Sequence, residues 1–202
     1  MRKKIILGIV ILLILAAVGG AVYFNKNYVV VELKYGDKMA VRTDVTKILY
    51  KNSEWDEDVK CTPSLKKLTK LESLSLIAEE DMNLNYLSEM KDLNTLEIID
   101  FDSCNAHNVK FETLPDLPNL KTLWLGDYKA KGYKTNFTLP NDVEYNFDSI
   151  EMLSIDGYQT VDFECLKNFK NLKRLQLGTT KKGLTEEQIE ELQSKGINVE
   201  IV

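Results

Sequence analysis

The chain has 202 residues, enough for one or two domains, and its 44% hydrophobic and 28% charged content is that of a folded protein. It carries 26 basic and 31 acidic residues, a net charge of −5, which argues against nucleic acid as a partner, because that binding needs concentrated Lys and Arg. His107 is the single histidine, which removes paired-His metal sites and argues against a Ser–His arrangement.

Residues 5–24, IILGIVILLILAAVGGAVYF, contain no charge. About 20 apolar residues cross a hydrocarbon core ~30 Å thick, and no soluble helix needs an apolar surface all the way round. Arg2, Lys3 and Lys4 precede the run. The pattern predicts a cytoplasmic tail at 1–4, a transmembrane signal anchor at 5–24, and the rest of the chain outside the cell. The rival is a secretory signal cleaved near Gly19-Gly20-Ala21. Against it, the run is long for such a signal and continues through Val22, Tyr23 and Phe24; no Cys follows that would make a lipoprotein. Both readings place the remainder outside. Removing Arg2, Lys3 and Lys4 from the 26 basic residues leaves an outer part near −8, a charge that keeps it soluble.

Residues 25–60 read as an N-terminal cap. VVVELKYGDKMAV predicts a hairpin turning at Gly36-Asp37, and Val45, Ile48 and Tyr50 predict a first strand. The acidic stretch Glu54 to Asp58 lacks the ligand spacing and turn glycine of a calcium loop and reads as a solvated turn.

Residues 61–183 repeat. Leu65, Leu68, Leu71, Leu74 and Leu76 align without gaps with Leu87, Met90, Leu93, Leu96 and Ile98. They align equally with Leu114, Leu117, Leu120, Leu123 and Leu125, and with Leu166, Phe169, Leu172, Leu175 and Leu177. Phe147, Ile150, Leu153 and Ile155 make a shorter copy, and Leu84, Phe111 and Phe163 extend three copies upstream. A spacing of three is the period of a 3₁₀ or irregular helical coil, and a final spacing of two is that of a strand. Each unit is thus a helical arm running into a short strand. One unit cannot enclose its own apolar face, but stacked units cover one another. The strand anchors Leu74, Leu96, Leu123, Leu153 and Leu175 are 22, 27, 30 and 22 residues apart, against 20 to 29 for leucine-rich repeats. The longest interval implies an insertion, YKAKGYKTNFTLPNDVEYN, expected to project from the solenoid.

Residues 184–202 read as a C-terminal cap. Thr185 and Gln188 form a capping box, Leu184 and Ile189 a staple, and Gly196 a stop. A last strand follows at Ile197, Val199 and Ile201. Cys61, Cys104 and Cys165 are odd in number and far apart, which suits buried small hydrophobes better than a disulfide framework.

LTKLESLSL, LPDLPNLKTLWL and CLKNFKNLKRLQL resemble the leucine-rich repeats of bacterial surface proteins, particularly the internalin-like class. VELKYGDKMAVRTDVTKILYKN looks like the leader that commonly precedes them. The resemblance covers about residues 30–202 and implies an α/β leucine-rich-repeat solenoid, with parallel strands on a concave face and 3₁₀ or irregular arms on a convex one. This chain departs from the family at the turn after each strand, where Asn is usual and Glu79, Phe101, Tyr128, Tyr158 and Thr180 stand instead. Phe101, Tyr128 and Tyr158 are expected to stack there.

In such a solenoid the strand residues between the buried ones face outward. They include Thr95, Glu97 and Ile99; Thr122, Trp124 and Gly126; Met152, Ser154 and Asp156; and Arg174 and Gln176. Ile99, Trp124 and Met152 are predicted to form an apolar anchor flanked by Glu97, Asp156 and Arg174, since Trp and Arg are frequent interface hot spots. The competing reading has Trp124 packing on a neighbouring side chain or beneath the long insertion. The expected function is recognition of a protein partner at the cell surface, without catalysis, cofactor or metal. The alternatives are a structural subunit of an envelope assembly and, with no nucleophile motif, metal cluster or phosphate loop to support it, a wall-acting hydrolase using two carboxylates.

Overall fold

The computed structural model describes residues 18–33, 36–49, 59–79, 82–99, 109–126, 136–140, 142–156, 160–178 and 180–202. Its centre is a seven-stranded parallel sheet. In chain order the strands are β3 (Lys47–Ile48), β4 (Ser73–Ile77), β5 (Thr95–Ile99), β6 (Thr122–Gly126), β8 (Met152–Ile155), β10 (Arg174–Leu177) and β11 (Asn198–Ile201), and they lie side by side in that order. Two short pieces outside this sheet, β7 (Asn136–Phe137) and β9 (Thr160–Val161), pair with each other in parallel. Each strand of the large sheet takes its sequence neighbour as its spatial neighbour, which is how a solenoid grows.

The register matches the leucine spacing. Leu74 pairs with Leu96, Leu96 with Leu123, Leu123 with Leu153, Leu153 with Leu175, and Leu175 with Val199. The five leucines are fully buried, each contributing about 1.5–3 kcal/mol on leaving water. The residue before each strand repeats one bond. Glu72 N–H donates to Thr46 O, Asn94 to Glu72, Lys121 to Asn94, Glu151 to Lys121 and Lys173 to Glu151, at 2.8–2.9 Å. Coil follows coil through the same backbone contact.

The three-residue rhythm has its own bonding. Leu68 N–H donates to Leu65 O, Met90 to Leu87, Leu93 to Met90, Leu120 to Leu117, Ile150 to Phe147, and Phe169 to Leu166. An i to i+3 bond returns every third side chain to one side, and here that side is the core. Among the described residues the arms carry three 3₁₀ turns, η1 (Pro63–Lys67), η2 (Leu84–Leu87) and η3 (Phe111–Thr113), and one four-residue helix, α1 (Phe163–Leu166).

Large rings fill the wide part of the core beneath the longest repeat. Phe147 stacks on Phe169 at 4.4 Å between centroids and meets Phe111 edge-on at 6.1 Å. Asparagines do bridge coils, but from the approach to the strand rather than the turn beyond it. Asn119 Nδ2 donates to Lys91 O at 2.9 Å, and Asn171 Nδ2 donates to Asp148 O at 2.7 Å. These two contacts sit at equivalent positions and tie each coil to the one before.

The N-terminal hairpin forms from β1 (Tyr28–Glu32) and β2 (Lys38–Arg42), paired antiparallel from Tyr28 against Arg42 to Glu32 against Lys38. Gly36 takes the left-handed turn at φ 87°. Among the described residues the first sheet strand has two residues, and Val45 packs on the core from outside it, while Tyr50 and the acidic stretch from Glu54 to Asp58 lie outside the described residues. The insertion also differs from expectation. Its second half returns to the body, burying Phe137 and Leu139 and supplying β7. Burying those two apolar side chains outweighs solvating them.

At the C-terminus, α2 (Glu186–Ser194) begins with the capping box: Thr185 Oγ1 accepts from Gln188 N, and Gln188 Oε1 accepts from Thr185 N. Leu184 and Ile189 are both buried beside it, and Gly196 stops it at φ 83°. Residues 18–27 are helical and run directly into β1. Residues 5–17 of the uncharged run, together with Cys104, His107, Phe101, Tyr128 and Tyr158, lie outside the described residues. Among the described residues, no helix is long and apolar enough to cross a membrane. Cys61 and Cys165 are free and buried.

Candidate binding face of the sheet

The large sheet has one face in the core, so alternate side chains project from the other. They form three rows across the strands. The first runs Ser73, Thr95, Thr122, Met152, Arg174, Asn198; the second runs Ser75, Glu97, Trp124, Ser154, Gln176, Glu200. The third lies at the strand ends, where Ile77 pairs with Ile99 and Ile99 with Gly126; Asp156 and Gly178 continue it past β8 and β10, with Asp156 N–H on Leu125 O and Gly178 N–H on Ile155 O.

The first row is flat and hydroxylated on one side and changes character on the other. Met152 pairs directly with Arg174, which is exposed. Arg174 Nη2 meets Glu200 Oε2 at 2.5 Å, and Asn198 Nδ2 donates to Glu200 Oε1 at 2.7 Å. In the second row, Glu97 stands between Ser75 and Trp124, and the Ser75 hydroxyl donates to its Oε2. Ser154 Oγ donates to Gln176 Oε1 at 3.3 Å.

Trp124 is half-buried, and its indole does not stand upright from the sheet. A β-carbon built at Gly126 would lie 1.9 Å from Trp124 Cη2 and 2.4 Å from Cζ2 and Cζ3. The six-membered ring therefore lies across the glycine, two residues along the same face. A similar relation holds two strands on, where Asp156 Oδ1 lies 2.2 Å from the position of a β-carbon at Gly178. The buried Lys182 amine donates to Asp156 O at 2.8 Å, and burial pulls its pKa below the usual lysine value while Asp156 opposes that fall.

The six residues expected to form one site are placed as follows. Glu97 and Trp124 are direct partners, Met152 and Arg174 are direct partners, and the two pairs are diagonal neighbours across β6 and β8. Ile99 differs from the expectation. It is 2% exposed, set between Ile77 and Gly126 in the row toward which the Trp124 ring folds. It supports the ring's end of the face and is not open to a partner. Asp156 is exposed but sits at the far end of β8, away from Met152 and Arg174. On this face the large apolar side chains are thus Trp124 and Met152, and the charges beside them are Glu97, Arg174 and Glu200. Gly126 and Glu200 complete this arrangement and were legible in the same alternation, one as Trp124 plus two and one as the residue before Ile201.

Just before the strands, Glu151 bridges Lys121 at 3.1 Å and Lys173 at 2.7 Å. Its hydrogen bonds to Lys173 and Lys121 hold its carboxyl below the usual carboxylate value. Exposed pairs of this kind contribute little on their own. Among the described residues, no group of three His, Cys, Asp or Glu side chains is placed to hold a metal ion.

Stacked arms and in-register parallel strands over one leucine core define a leucine-rich-repeat solenoid. Among solved structures the chain is similar to the internalin InlF of Listeria monocytogenes, at 19% identity over 71% of this chain and 44% of that one, with a TM-score of 0.37. This chain therefore spans less than half the length of that protein, and no functional residue passes from one to the other. No protein-family model and no curated protein matches the sequence.

Proposed function

We propose that this chain is a non-catalytic recognition module, held at the outer face of a membrane by residues 5–24, that binds a protein partner on the outward face of its sheet. The observation that carries the reading is the pairing on adjacent strands of Glu97 with Trp124 and of Met152 with Arg174. An aromatic ring and a flexible thioether, both partly buried, and an exposed guanidinium sit on a backbone fixed by its ladder bonds. Trp and Arg dominate the energetics of protein interfaces, Met adapts its shape to a partner, and a rigid platform lowers the entropy cost of association. The uncharged run and the basic residues before it support the anchor, which would also raise the effective concentration of the module at the membrane.

The test is capture by the full chain, reconstituted in lipid nanodiscs, from solubilised envelope proteins of the producing cell. The native chain should retain a discrete protein. Trp124→Ala and Arg174→Glu should each lose it while keeping the far-ultraviolet circular dichroism of the native chain. Capture unaffected by both substitutions would move the binding surface to the arms and favour an assembly role.

A further inference from the structure

In the helix over residues 18–27, residues 18–26 are all exposed, with Val22 at 60% and Tyr23 at 64%. It passes into β1 at Tyr28 with no linker between them. Three contacts fasten the joint. Asn27 Nδ2 donates to Tyr23 O at 2.8 Å; Thr43 N–H on the far side of the hairpin donates to Asn27 O at 2.8 Å; and the Phe24 and Tyr28 rings stack 5.1 Å apart, 9° from parallel. A tether built to swing would place Gly or Ser here.

The hairpin has two unlike faces. Val29, Val31 and Val41 point into the core. On the other face Tyr28 pairs with Arg42, Val30 with Ala40, and Glu32 with Lys38. Val30 is 44% exposed in the middle of its strand, and Ala40, Arg42 and Lys38 are exposed around it. An aromatic ring and small apolar side chains stand between Lys38, opposite Glu32, and Arg42, which pairs with the exposed Asp44 at 2.6 Å; rings of this kind settle at headgroup depth between oil and water, where Lys or Arg exchange such surface partners for phosphates.

The geometry points to the hairpin face of Tyr28, Val30, Lys38, Ala40 and Arg42 as a lipid contact, lying on the headgroup layer of the bilayer that residues 5–24 enter. The inference rests on the membrane-anchor reading and adds to it. The stacked helix–strand joint carries the hairpin against the surface, and the solenoid then leaves the membrane in one orientation instead of tumbling on a leash. The occupant is phospholipid because the exposed apolar helix and the hairpin face are continuous in the chain.

The test uses the full-length chain in vesicles of phosphatidylcholine and phosphatidylglycerol brominated near the headgroup end of the acyl chain. Trp55→Phe and Trp124→Phe remove the native fluorophores. A reporter is placed by Val30→Trp, a second by Ala40→Trp on its cross-strand partner, and a control by Glu190→Trp on the exposed side of α2. The first two should show blue-shifted emission and lose most of it to the bromine, while the control keeps its emission. Either hairpin reporter suffices if the other variant misfolds. Reporters at 30 and 40 that resist quenching as the control does, in chains that float with the vesicles, would overturn the contact and leave the anchor standing. Chains that fail to float would overturn the anchor and the contact with it.

Discussion

Trp124 lies across Gly126, its six-membered ring filling the space that a β-carbon at that position would occupy. Two residues on one strand face thus act together, the glycine as a recess and the indole as its cover. Gly126→Ala puts a methyl group inside the ring. Overpacking of this kind costs about 1–3 kcal/mol, or the ring swings out into water. In a Trp55→Phe background, the urea midpoint should fall, the Trp124 emission should shift to longer wavelength, or both. An unchanged midpoint with unchanged emission would place the ring elsewhere.

The aromatic stack beneath the longest repeat is the second target. Phe147 is fully buried, 4.4 Å from Phe169 and 6.1 Å from Phe111. Phe147→Ala should cost about 3–5 kcal/mol, read as a lower urea midpoint. Conservative Phe147→Leu should recover most of it.

Thr185 starts the C-terminal cap through its contact with Gln188. Thr185→Ala should cost about 1 kcal/mol. The loss should be local, so amide exchange should accelerate first in α2, at Ile189 and Leu192.

Cys61 is pushed up from 9.0 to about 12 by burial, with Glu79 adding to the rise. The folded state holds the thiol proton more tightly than the unfolded chain does. The stabilisation is complete below about pH 9 and falls as pH climbs from there toward 12. Cys61→Ala should flatten that part of the pH–stability profile. At pH 8 the native thiol should react with Ellman's reagent far more slowly than in urea. Equal rates would contradict its burial.

The sequence and the structure agree where spacing alone decides. The interval of three, three, three and two between Leu65 and Leu76, repeated from Leu87 and Leu114, carries both the arm and the strand, because only those two backbone periods keep every leucine on one side. The same interval placed the sheet register, since a one-residue slip would turn Leu96 and Leu123 out to water. Glu97, Trp124, Met152 and Arg174 followed from it as outward residues.

What the spacing did not carry was the side-chain conformation within a row. Alternation puts Ile99 and Trp124 on the same face but says nothing of the ring folding along the strand over Gly126. Nor did it separate the insertion into parts. Phe137 and Leu139 alternate with polar residues like any short strand, yet they sit among Lys, Gly and Asn and read as loop; it is contact with the distant Thr160–Val161 pair that decides their burial. The bridging asparagines, Asn119 and Asn171, were hidden for a similar reason, because the position usual for such bridges holds other residues here.

The most direct measurement concerns the stacking of coils, on which the outward face of the sheet and the core both depend. Thr95 and Thr122 are register partners on β5 and β6, while Met152 lies one strand further on. Neighbouring strands stand about 4.8 Å apart, within disulfide reach, and next-nearest strands do not. With the three native cysteines replaced by Ala, Thr95→Cys with Thr122→Cys should crosslink under mild oxidation, and Thr95→Cys with Met152→Cys should not. Crosslinking of the second pair without the first would contradict the solenoid.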